Sequence, residues 1–317
     1  MLSFLLVTAV ALMRLRDLVA VVMLAGIYSL IAASLFIVMD AADVAFTEAA
    51  VGAGVSTLLM LKTLTLTGRY KTPNPSRHVI AFTAVVLTAG LLIYGTHDMA
   101  PYGSIDAPSQ SHVGRDYLER SLSDTGVPNV VTSILASYRG FDTLGELFVI
   151  FTAGIGVLVL FDGTGARAAI RPMLADHLVL RVVAKILIPL ILMFALYVQF
   201  HGEYGPGGGF QAGVIFAAAL ILYCMLFGAA AARRVLSDNE TRILAAVGLL
   251  LFTGVGVATV VMGGAFLDYS VLANSPVTGQ LIGILLVELG VGITVAAMIF
   301  RIFLEFDDRQ SAEEAQK

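Results

Sequence analysis

Carboxylates set within long apolar runs are the residues through which this chain can do chemistry. Glu48 lies near one end of such a run and is followed by the small residues Ala49-Ala50-Val51-Gly52-Ala53-Gly54. Glu288 lies midway along another, Val287-Glu288-Leu-Gly290-Val-Gly-Ile-Thr, and is the deepest carboxylate by position. An ionisable group at membrane depth must be neutral, paired or hydrated, and marks a candidate ion or proton path. Lys62 follows Glu48 by fourteen residues, about 21 Å along a helix and within roughly 40° of the same face. A carboxylate and an ammonium so placed suit a cation or proton relay. The plainer alternative is a Lys62 that snorkels to the headgroups and a Glu48 that pairs with water or loop neighbours.

Other polar groups sit at the ends of the runs. Asp40 and Asp43 precede Glu48 and would form a negative mouth that concentrates cations, unless they are simply solvated. Asp142-Thr143-Leu-Gly-Glu146 opens a further apolar run. Asp142 and Glu146 share a helix face as a second acidic site, while Thr143 and Glu146 have the spacing of a capping box; both readings hold at once. The segment His201-Gly-Glu203-Tyr-Gly205-Pro206-Gly207-Gly208-Gly209-Phe-Gln211-Ala-Gly213 lacks the spacing of a zinc peptidase or a phosphate loop. Its glycines allow close packing and unusual backbone angles, in a re-entrant element lining a cavity or in a rigid turn. His201 and Glu203 are candidates for titration near neutral pH. Gly279 and Gly283 have the spacing of a close helix–helix contact.

Composition decides what kind of solvent these residues meet. Of 317 residues, 58% are hydrophobic and 13% charged, where soluble domains carry about 25% charged. Polar surface is too scarce to cover the apolar atoms, so a soluble enzyme is excluded and the solvent is largely lipid. A formal charge of -4 leaves no basic face for nucleic acid. The lone Cys224 excludes intrachain disulfides and multi-thiolate metal sites, and no metal site is expected. Arg14 and Arg16 follow the first apolar run, the wrong order for a cleaved signal peptide.

Runs of spanning length, about 20 residues, cover 18–39, 44–66, 79–94, 144–161, 182–200, 210–232, 243–262 and 277–303, with a shorter one at 2–13. The expected fold is an all-α polytopic membrane protein of about nine transmembrane helices. With the N-terminus outside, sixteen of the nineteen Lys and Arg residues fall in inner loops; Arg115, Arg120 and Arg139 alone fall outside. The positive-inside rule then predicts an N-out, C-in topology. A long polar segment at 96–139 and a basic linker at 162–181 divide the helices into groups of three, two and four. No internal repeat is visible, which weakens an inverted-repeat transporter reading.

Three stretches in chain order carry a resemblance. Asp43-Val-Ala-Phe-Thr47-Glu48-Ala-Ala-Val-Gly52 resembles the hydrogenase D-type module that ends the large A-type component of Mrp (also Mnh) multisubunit Na+/H+ antiporters, relatives of membrane-bound hydrogenase and respiratory complex I. Tyr138-Arg-Gly-Phe-Asp142-Thr-Leu-Gly-Glu146 resembles the E-type module that follows it. Gly205-Pro-Gly-Gly-Gly-Phe-Gln211-Ala-Gly213, with Val287-Glu288-Leu-Gly-Val-Gly-Ile-Thr, resembles the B-type component.

This resemblance implies a three-helix D-type module at 1–77, a two-helix E-type module at 78–165, a four-helix B domain at 178–306 and a polar tail at 307–317. The antiporter-like part of the A-type component, with its Lys–Glu channel signature, is absent, so separate antiporter-type subunits would be partners, together with membrane lipid. Such a protein would sit in the cell membrane and line part of a Na+ path coupled to proton movement, with no cofactor beyond the transported Na+ and H+. The resemblance places Glu48 and Glu146 on the ion path; Glu288 rests on its depth alone. Hydroxyls of Thr47 and Thr143 would add hard oxygen ligands for a hard cation. Competing readings are a non-conducting scaffold and the membrane arm of a redox-driven pump. The latter needs a partner to hold iron–sulfur clusters, since one cysteine cannot. A stand-alone intramembrane protease is weakest, for want of a nucleophile–base pair.

Overall fold

The computed structural model describes residues 1–71, 78–101, 103–161 and 177–315, which are helical with short connections and contain no strand. They form two bodies, Tyr70–Arg120 and the pairing of Met1–Arg69 with Ser121–Lys317. The smaller body contains α4 (His78–Gly95) and α5 (Pro108–Ser111), followed by the start of α6 (Val113–Thr125).

The larger body holds the candidate residues. It begins with α1 (Leu2–Arg14) and α2 (Leu18–Val38). Asp17 caps α2 by accepting from the Val19 N–H and also takes the Arg69 guanidinium, so the start of α2 meets the chain just past the end of α3. Helix α3 (Ala42–Thr67) contains a π-helical stretch, Ala49–Val55, immediately after Glu48. The small residues of that stretch admit α2: a Cβ on Gly52 would strike both the Ser29 hydroxyl and the Glu48 carboxylate. Next come α7 (Val130–Ser133), which continues as a π turn over Ile134–Tyr138, and α8 (Gly140–Phe161).

The rest of this body comprises α9 (Leu178–His201), α10 (Gly209–Phe227), α11 (Ala229–Val235), α12 (Asp238–Val261) and α13 (Pro276–Ala315). Helix α13 is the axis. At about 1.5 Å per residue its 40 residues reach some 60 Å, twice the hydrocarbon thickness. It packs against α8, α10, α12 and the 3-10 turn Tyr269–Leu272. Contacts with α10 and α12 are backbone-close: a Cβ on Gly209 or Gly213 would strike α13, as would one on Gly248. The main core joins Val55, Leu144 and Leu147 to Val214, Phe252, Tyr269 and Ile284, so α3, α8, α10, α12 and α13 share one interior.

Seven helices are long and apolar enough to span: α2, α3, α8, α9, α10, α12 and α13 up to Gln310. Leu2–Arg14 and Val79–Gly95 are apolar but shorter, so among the described residues the nine-span count is not reached on length. The basic linker lies mostly outside the described residues, as do Arg77, Arg167 and Arg171. Gly279 and Gly283 do pack closely, but their partner is not a helix. Gly279 faces the Tyr269 and Ser270 carbonyls, and Gly283 lies under the Tyr269 ring. That ring is fully buried and its hydroxyl donates to the Ala136 carbonyl at 2.8 Å.

Candidate functional site

The glycine segment between α9 and α10 is a clamped turn, held from three parts of the chain. Asp43, in the first turn of α3, accepts the Gly207 N–H at 3.1 Å and the Asn129 side-chain amide at 3.4 Å. The same amide donates to the carbonyls of Gly202 and Gly205, and Thr132 donates to Gly202 at 2.6 Å. From α13, Glu288 accepts the Gly209 N–H. Gly208 has φ +116 and turns the chain directly into α10. Glu288 thus sits at the positive end of α10, where a helix N-terminus stabilises an anion. His201 belongs to the turn as a ring, stacked on Tyr197 at 4.8 Å.

Beside the turn runs a line of polar groups. Thr47 bonds back to the Asp43 carbonyl and accepts from the Gln211 amide at 3.0 Å. Gln211 is buried on α10. Glu48, the next residue along α3, is half-buried and makes no hydrogen bond or ion pair among the described residues. Asp43 and Glu203 both interact electrostatically with Glu288, so three carboxylates surround the turn. Burial pushes the Glu203 carboxyl above its ordinary value. No cluster of three metal-binding side chains occurs among the described residues.

The remaining candidates lie elsewhere. Asp40 is exposed in the tight turn before α3, at φ +60. Lys62 does not snorkel freely: its ammonium pairs with Asp307 of α13 at 2.6 Å and lies 5.9 Å from the Phe303 ring. Glu48 instead faces Ser29 of α2, so it and Lys62 address different neighbours. The wider turns of the π stretch rotate the helix less per residue than the α-helical spacing assumes, which undoes the shared face. Asp142 pairs with Arg139 at the surface. Glu146 is exposed on α8. The expected capping box is not formed: α8 begins at Gly140, which puts Thr143 inside the helix, where its hydroxyl donates to the Leu135 carbonyl. A capping box does occur at the start of α12, between Ser237 and Glu240.

Sequence reasoning missed the polar network at the opposite ends of these helices. Arg301, 2% exposed, holds Asp238 and Glu305; Arg233 holds Asp238 and Asp308. Together with Lys62–Asp307 this ties α3, α11, α12 and α13. Asn129 was also missed. Its one local signal is the cap it provides to α7; its contacts with the glycine turn span more than seventy residues.

Three family descriptions match successive stretches: the D-type component of MBH over 3–69, the E-type component of MBH over 81–170, and a "Domain related to MnhB subunit of Na+/H+ antiporter" over 179–301. A putative mnhB2 antiporter subunit of Staphylococcus aureus (strain Newman) is 32% identical over 139 residues, 43% of this chain and 98% of that protein. A probable K(+)/H(+) antiporter component of A/B type, from Rhizobium meliloti (strain 1021), is 27% identical and matches 90% of this chain but 32% of its own length. A chain of the Mrp complex from Dietzia sp. DQ12-45-1b superposes with a TM-score of 0.77 at 25% identity, over 96% of this chain and 34% of that one. A chain of an archaeal membrane-bound sulfane sulfur reductase superposes with a TM-score of 0.53 at 26% identity, over 72% of this chain and 98% of that one. The chain thus spans about a third of the length of the Rhizobium relative and of the Mrp chain.

Fold and site define a multi-pass α-helical membrane protein with carboxylates held between its spans. Within that class, the chain belongs to the family of MnhB-type antiporter subunits, with D- and E-type segments ahead of the B domain.

Proposed function

We propose that this chain is a non-enzymatic component of a multisubunit monovalent cation/proton antiporter of the cell membrane. It lines part of a Na+ or K+ path while partner antiporter-type subunits move protons. The observation that supports this most strongly is the Thr47–Gln211 bond beside the clamped turn. It ties α3, one residue before the unpaired Glu48, to the domain that carries Glu288. Asp40 and Asp43 form the outer mouth, Thr47 lends a hydroxyl, and Lys62 with Asp307 closes the inner end. Asp142, Thr143 and Glu146 form a second acidic region on α8, whose exposed face suits a neighbouring protein of the complex. The topology is N-out and C-in with nine crossings, the two shorter helices included, and the D-, E- and B-type parts occupy 1–77, 78–165 and 178–306. No resident cofactor is required.

Glu48→Ala and Glu48→Gln in the assembled complex test this reading. Na+- and K+-dependent collapse of a pH gradient in inverted vesicles is expected to fall to background while recovery of the complex stays unchanged. Full activity with normal assembly would sink the ion-path role and leave a scaffold. The likeness to the sulfane sulfur reductase chain favours one second reading, the membrane arm of a redox-driven pump. Mild affinity purification decides between them, since iron–sulfur proteins accompany the chain only in that second case.

A further inference from the structure

Within the B domain, a slot of about 240 Å³ lies between α9, α10, α12 and α13. Its α10 wall runs from Ala212 to Leu220 and its α13 wall from Leu289 to Ala297. Each wall covers eight residue steps, about 12 Å along a helix axis. Small residues at Gly213, Gly292 and Ala296 hollow these walls, and Leu196, 52% exposed, stands at the opening.

The dimensions restrict what fits. Over the same length a helix with its side chains, about 10–12 Å across, would need on the order of 1000 Å³, several times the volume of the slot. A transmembrane helix therefore cannot enter. A single polymethylene chain, lying parallel to the helices, can. Left empty, the apolar walls would forfeit dispersion contacts along their whole length.

One polar side chain lines the slot. Gln199 is nine-tenths buried and its amide nitrogen has no hydrogen-bond partner. It lies two residues before the end of α9, where the chain leaves that span. An unsatisfied buried donor is costly, and the ester carbonyl at the head of an acyl chain supplies the missing acceptor.

We propose that this slot binds one acyl chain of a bilayer phospholipid, with its ester end at Gln199 and its tail running along Phe216 and Ile293 toward Leu244. The lipid is a fixed component of the B domain, independent of what ion the complex carries.

The test uses membranes containing the intact chain with its native partners, supplied with phosphatidylglycerol bearing a diazirine in the middle of one acyl chain. After illumination, mass spectrometry of the peptides is expected to find label within 212–220 and 289–297. Ala296→Phe fills the slot and displaces about two methylenes, lowering the label about tenfold with recovery of the complex unchanged. Should that variant fail to assemble, Ala296→Leu gives a smaller loss in the same peptides. Label that ignores both variants overturns the proposal. So does competition by a short-chain quinone at levels too low to displace bulk lipid, which would assign the slot to a quinone tail.

Discussion

Gly208 and Glu288 constrain one another. A Cβ at Gly208 would lie 2.8 Å from the Glu288 carboxylate, at a φ of +116 that other residues rarely adopt. Gly208→Ala is therefore expected to cost about 1–3 kcal/mol, read as a lower melting temperature of the purified complex. An unchanged melting temperature would mean that the turn relaxes without loss. Glu203 beside them has a pH signature. Its raised pKa means that its contribution to stability is fully present below the unfolded carboxylate value and is lost as pH rises through the folded one. Glu203→Gln should flatten the dependence of turn stability over that window; a melting profile as steep as wild type would contradict this. At this scale the sequence singles out carboxylates by their apolar surroundings. It could not announce who holds them: Asp43 meets Gly207 across 164 residues, a distance no local pattern encodes. Thr143 shows the reverse failure. Its spacing to Glu146 mimics a cap, yet Ser237 and Glu240 have the same spacing and do form one. The difference is that α12 begins at Asp238, whereas α8 begins three residues before Thr143.

Helices as a class were legible from run length, since about 20 apolar residues span a bilayer and little else in the chain competes. Their phase was not. The π stretch Ala49–Val55 reads in sequence as ordinary helix rich in small residues, but it turns Glu48 toward α2 and Lys62 toward α13. π-helical turns inside α-helices are rare and are frequent at functional sites. Deleting Ala53 would restore regular α-helical winding and rotate one half of α3 against the other. Antiport is expected to be lost while the complex still assembles; retained antiport would show that the relative orientation of Glu48 and Lys62 is irrelevant.

The whole larger body is tied at both ends of its spans, by the glycine turn on one side and by the Arg233, Arg301 and Lys62 pairs on the other. Long-range ion pairs of this kind, with Lys62 and Asp307 245 residues apart, join α3 to the B domain although sequence sets them in different groups. Asp307→Asn leaves the Lys62 ammonium, 11% exposed, without its carboxylate and should destabilise by about 1–3 kcal/mol. High salt should not mimic it, because partly buried pairs are weakly screened; a salt titration that reproduces the variant's melting curve would refute a buried latch. Helix α13 gives this arrangement a temporal meaning. It comes after every element it packs against, so during synthesis α8, α10 and α12 enter the bilayer before the strut that joins them exists. Until α13 arrives, their glycine faces and the Gly209 amide have no counterpart. Quality control at the translocon therefore has a single late event to monitor, and any delay in that helix leaves the earlier spans open to the wrong neighbours.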